Sequence, residues 1–111
     1  GAFYDYLEDF CRNMQTASDK EEILLRRPWT DEEDNQTYFR LRDFENYLKR
    51  NRFFEFKTHM ISQRLRDIGG ESTVLRIKNR SVRVWAIPAF EIPQSDIKTP
   101  EFGANDEDIP F

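Results

Sequence analysis

Residues 58–87, Thr-His-Met-Ile-Ser-Gln-Arg-Leu-Arg-Asp-Ile-Gly-Gly-Glu-Ser-Thr-Val-Leu-Arg-Ile-Lys-Asn-Arg-Ser-Val-Arg-Val-Trp-Ala-Ile, decide how the chain is read. Ile61, Leu65 and Ile68 recur at helical spacing, which predicts a helix over 59–68 with Thr58 as its cap. Gly69-Gly70 ends it, because glycine accepts the left-handed cap. Two β-type runs follow, 72–77 and 82–87, rich in Val74, Leu75, Ile77, Val82, Val84 and Trp85. Lys78-Asn79-Arg80-Ser81 is the turn between them, with Asn79 suited to a positive φ.

The chain upstream is helical in pattern. Phe3, Leu7, Phe10, Cys11 and Met14 mark one face of a helix over 3–17. Asp5, Glu8 and Asp9 sit near its start, where the helix dipole favours anions. Ser18-Asp19 can cap a second helix, 19–27, burying Ile23 and Leu24 and stopping before Pro28. Trp29 to Thr37 reads as a polar connector, with Thr30 and Glu33 at capping-box spacing. Residues 38–41 suggest a short strand, and 42–51 a helix with Phe44, Tyr47 and Leu48 on one side. Phe53, Phe54 and Phe56 read as core or inter-helix packing. Pro88 and Pro93 close the folded part, and 94–111 read as an extended acidic tail.

The 111 residues amount to one domain's worth of chain. Their net charge of −4 conceals a division. Residues 1–37 hold 4 basic and 10 acidic side chains, residues 38–86 hold 12 and 5, and residues 87–111 hold 1 and 6. A basic middle between acidic ends suggests a polyanionic partner for the middle and another role for the tail. No apolar run has the length of a membrane span, and no signal-peptide pattern opens the chain. One cysteine excludes an internal disulfide and points to a reducing cytoplasm. The start at Gly1 rather than Met reads as an excised piece of a longer protein.

Catalytic readings are weak. The four glycines form no phosphate loop. Cys11 and His59 are a nucleophile and base only on paper, since Cys11 lies on the apolar face of its helix. Asp31, Glu32, Glu33 and Asp34 lack the spacing of a calcium loop, and a single histidine disfavours zinc. Phe53, Phe54 and Phe56 fit packing better than base stacking. The expectation is no enzyme, no metal and no cofactor.

The order of elements (strand, helix, helix, hairpin) resembles a winged helix. The stretches 64–70 and 76–85 look like the end of winged-helix domains in mobile-element and phage primase-helicases of the virulence-associated-E type. The resemblance covers about residues 38–88. It implies an α+β, winged-helix-like domain over 38–93, a helical layer over 1–37, an extended acidic tail over 94–111, and an ATPase motor elsewhere in the parent protein. It also implies that helix 59–68 takes the recognition position and 72–87 the wing.

On a helical wheel Thr58, His59, Ser62, Gln63 and Arg66 share an arc of roughly 140°, away from Ile61, Leu65 and Ile68. Arg and Gln suit base edges, so these five are candidates for nucleic-acid contact. Lys78, Arg80 and Arg83 are the candidates from the wing. Arg40, Lys49, Arg50, Arg52, Lys57 and Arg76 are further candidates to meet phosphates, though not all can lie on one surface. The alternative is a protein-interaction module whose basic face binds an acidic protein segment.

The chain closes on Asp106-Glu107-Asp108-Ile109-Pro110-Phe111, which is similar to the tip of bacterial single-stranded-DNA-binding proteins. That resemblance implies docking to a replication or repair protein. Phe111 would fill an apolar pocket, Pro110 would limit the entropy lost, and the acidic run would steer toward a basic rim. A second use for the tip is to fold back onto the basic domain.

Overall fold

A computed structural model of the chain describes residues 1–90. The tail reading over 94–111, Pro93 and the candidate docking residues Asp106 to Phe111 lie outside the described residues. The fold is α+β. In chain order it comprises α1 (Ala2–Glu8), a π-helical turn (Asp9–Asn13), a 3₁₀ helix (Lys20–Leu25), β1 (Trp29–Asp31), β2 (Gln36–Phe39), α2 (Leu41–Arg50), α3 (Thr58–Asp67), β3 (Glu71–Ile77) and β4 (Arg80–Pro88). The four strands form one antiparallel sheet in the order β1-β2-β4-β3. Among the described residues, no helix is long and apolar enough to cross a membrane.

β4 organises the sheet. Its four consecutive residues Val84, Trp85, Ala86 and Ile87 are all buried. Side chains alternate across a strand, so both faces here must be covered. On one face Trp85 and Ile87 join Phe3, Leu7, Phe10, Phe39, Phe44, Tyr47, Ile61 and Leu65, the core beneath the helices. On the other face Val84 and Ile77 pack against Ile23, with Leu24, Trp29 and Tyr38 around them. The 3₁₀ helix is the lid of that second core.

The helical core is built from rings. Phe10 lies 5.7 Å from Phe39, 5.4 Å from Phe44 and 5.4 Å from Tyr47, and Phe3 lies 5.7 Å from Phe44. Tilted and edge-on geometries dominate, as the ring quadrupole favours. The first helix ends at Asn13 rather than Gln15–Ala17, because it widens into a π turn closed by Met14 N–H on the Asp9 carbonyl, 3.1 Å. The wider turn keeps both Phe10 and Cys11 inward and leaves Met14 exposed, correcting its expected place on the inner face. The Tyr47 hydroxyl donates to Asp9 Oδ2 and ties this turn to α2.

Three further local expectations are corrected. The segment 19–27 is a 3₁₀ helix over 20–25. Asp19 caps it by accepting from Glu21 N–H (3.0 Å), and Arg26 in the left-handed region (φ 68°) ends it. The connector 29–37 is no helical turn but a β-hairpin. Thr30 and Thr37 meet side by side across it (Oγ1–Oγ1 2.8 Å), so Thr30 does not cap. Thr58 does not cap α3 either. The N-cap is Lys57, and the Thr58 hydroxyl donates instead to Glu45 Oε2 at 2.6 Å.

The glycine pair after α3 matches its expectation. Gly69 N–H bonds Arg66 O and Gly70 N–H bonds Leu65 O, with Gly69 at φ 91°. A Cβ on Gly70 would lie 2.7 Å from Leu65 O, so helix and strand approach there as only glycine permits.

Ile23 is fully buried against Ile77 and Val84. Ile23→Ala should destabilise the domain by about 2–5 kcal/mol, read by urea denaturation, and hydrogen exchange should speed up in β3 and β4 first. Asp9 is held below the ordinary carboxylate value by its bonds from Tyr47 and then Asn13. A depressed carboxyl stabilises the fold above its unfolded value of 3.8, and that contribution disappears as pH falls through the folded value. Melting temperature should therefore drop below pH 4, and Tyr47→Phe should flatten that acid limb.

Candidate nucleic-acid interface

α3 packs Ile61 and Leu65 into the core that holds Trp85 and Ile87 and leaves Thr58, His59, Gln63 and Arg66 exposed. Ser62 is half-buried. Arg66 does not reach freely into solvent. Its guanidinium sits 5.5 Å from the Trp85 ring centroid, in cation–π range. Arg64 is parked in the same way over Phe56, at 5.1 Å.

Two polar candidates are already engaged. Gln63 Nε2 donates to Asp67 Oδ1 at 3.0 Å, and Thr58 donates to Glu45. Each would have to give up a bond to meet a ligand. His59 and Arg66 carry no side-chain hydrogen bond among those of the described residues.

The hairpin tip is a two-residue turn. Lys78 (φ 49°) and Asn79 (φ 64°) both take the left-handed region, and Ile77 pairs with Arg80. This is the mirror-image turn that matches strand twist. The turn is therefore shorter than the four residues expected, with Arg80 and Ser81 in the strand. Register then sorts the charges. Ser72↔Trp85, Val74↔Arg83 and Arg76↔Ser81 share the face on which Arg66 covers Trp85. Ile77↔Arg80 and Leu75↔Val82 share the other face, over the 3₁₀ helix. The structure thus groups Arg66 with Arg83 and separates Arg80 from them by the thickness of the sheet, while Lys78 marks the tip.

Arg76, one of the further phosphate candidates, and Val74, read only as strand content, belong to the first group. Val74 is 44% exposed, the one large apolar side chain of that strand left to solvent. The alternation 72, 74, 76 against 73, 75, 77 was visible, but Val74 and Leu75 are both apolar and the sequence alone does not say which faces in.

The catalytic candidates take structural places. Cys11 is buried in the helical core, and burial pushes its thiol up, away from the reactive thiolate. Two of the acidic connector's four carboxylates, those of Asp31 and Asp34, are spent on its own turn and on β2. Asp31 Oδ1 accepts from Glu33 N–H, Asp34 Oδ1 from Gln36 N–H, and Asp34 Oδ2 from the Tyr38 hydroxyl at 2.6 Å. That last bond pushes the Tyr38 phenol up to about 12. Among the described residues no group of three or more His, Cys, Asp or Glu is placed to hold a metal.

Because Arg66 shields Trp85, Arg66→Ala should uncover the indole. In a Trp29→Phe background the remaining emission should shift to the red and become more sensitive to acrylamide. The chain should also lose about 0.5–1 kcal/mol of stability. Comparison with protein-family models, with curated proteins and with solved structures finds no match to this chain.

Proposed function

We propose that the chain is a nucleic-acid-binding accessory domain of a replication or mobile-element primase-helicase protein, built as a winged helix. In this reading α3 is the recognition helix and the β3–β4 hairpin is the wing. The arrangement is supported by chain order and pairing. β2, α2 and α3 lead into the hairpin, and β2 pairs with its returning strand β4. The observation that carries the function is the Arg66 guanidinium held over Trp85, on the face that also presents Arg76 and Arg83. A preorganised cation beside two further arginines suits a phosphate backbone, to which Arg gives charge and paired donors. Backbone contact fits this face better than base reading, since Gln63 is already bonded to Asp67. The domain has no catalytic role of its own, and the Asp106 to Phe111 segment docks a replication or repair protein.

Fluorescence anisotropy of labelled duplex and single-stranded DNA, titrated with the full chain at several salt concentrations, tests this. Binding should weaken linearly on a log–log plot of affinity against salt. Arg66→Ala and Arg83→Ala should each reduce the duplex slope by about 0.9 and weaken binding to all sequences alike. Arg80→Ala, on the opposite face, should do less. Absence of binding by the full chain at low salt would overturn the reading and leave the basic face as a docking surface for an acidic protein segment.

A further inference from the structure

The turn joining α2 to α3 carries three phenylalanines, and only two are accommodated. Phe53 packs 5.0 Å from Tyr6 and Phe56 packs 5.3 Å from Phe3, so both lean onto α1. Phe54 is 68% exposed, the most exposed large apolar side chain among the described residues, which corrects its expected place in the core. It forms one wall of a groove of about 330 Å³ between the two helices. Leu48 and Ile61 line it with apolar surface, and Lys49 and Lys57 add two ammonium groups. The one carboxylate in the lining, Glu45, accepts from the Thr58 hydroxyl.

We propose that this groove receives the chain's own segment Asp106-Glu107-Asp108-Ile109-Pro110-Phe111. Ile109 and Phe111 enter beside Phe54, and the acidic run lies against Lys49 and Lys57. The volume lies at the small end for ligand sites and suits one or two large side chains rather than a helix. Lys49 and Lys57 give the rim two positive charges, partly offset by Glu45, and so favour the acidic run of the segment. Reach is ample. Residues 91–111 follow the last described residue and span up to roughly 70 Å when extended, against a domain roughly 30 Å across. Tethering of that length keeps the segment at about millimolar local concentration, so modest affinity is enough. Pro110 reduces the freedom lost on docking. The docked segment would cover the start of α3 at Thr58 and be withheld from outside partners until displaced. None of this depends on whether α3 binds nucleic acid.

The test is paramagnetic relaxation in the ¹⁵N-labelled full chain with a nitroxide on Ala104→Cys, Cys11 being buried. Amide signals of Lys49, Phe53, Phe54, Lys57 and Thr58 should lose intensity several-fold. They should recover in Phe111→Ala and in Phe54→Ala, both of which leave the described core intact. Lys49→Glu/Lys57→Glu should restore them too. Broadening centred instead on Arg66 and Arg83, broadening unchanged by Phe111→Ala, or no local broadening at all would overturn the proposal. So would equal broadening from nitroxide carried on separate, unlabelled chains, which would mean that the segment passes to a second copy.

Discussion

A strand buried on both faces is the constraint from which the rest of this structure follows. Val84 and Trp85 are neighbours in sequence but belong to different cores. A lone hairpin with such a strand would expose one apolar face to water, and small two-stranded units are marginal at best. The chain solves this by sending the segment between α1 and β2 around the sheet. The 3₁₀ helix places Ile23 on Ile77 and Val84, and the β1–β2 hairpin extends the sheet with Trp29 stacked on Tyr38 at 5.5 Å. Covering the back of the sheet also stiffens the hairpin, so the arginines of its front face are presented on a fixed ladder rather than on a loop.

Much of this was legible in sequence. The helices at 41–50 and 58–67, the glycine stop and the hairpin strands lie within a residue or two of where periodicity places them. Local rules decide those elements: apolar spacing, a Schellman turn, β-branched runs. The misreadings share a cause, which is tertiary contact overriding a local signal. Thr30 has the spacing of a cap, but the sheet offers Thr37 across a ladder. Thr58 has the residue type of a cap, but it is the first residue of α3 and its hydroxyl bonds Glu45 on the preceding helix. The helix through Met14 shows unbroken periodicity, yet it widens into a π turn that begins at Asp9, the residue that Tyr47 bonds from thirty-eight residues away.

The candidate interface was half legible for the same reason. The sequence identifies which residues are basic and which lie on the outer arc of α3. It does not tell that Arg83 faces the helices while Arg80 faces the 3₁₀ helix, because Val84 and Trp85 are both apolar and alternation alone does not say which core each enters. Packing of Trp85 among the helices and of Val84 against Ile23 settles that assignment. The cation–π contact of Arg66 was beyond reach as well, since it joins two residues nineteen apart in sequence.

The two-residue turn also constrains how such a hairpin can vary. Inserting one residue in each strand would exchange the two faces beyond the insertion, sending Arg76 and Arg83 toward the 3₁₀ side and Ile77 into solvent. Two residues in each strand would leave every side chain on its own face and carry the Lys78 tip about 7 Å further out. The hairpin can therefore grow or shrink only in steps of a full pleat. Among related chains, its length should run in even increments per strand while the turn itself stays short.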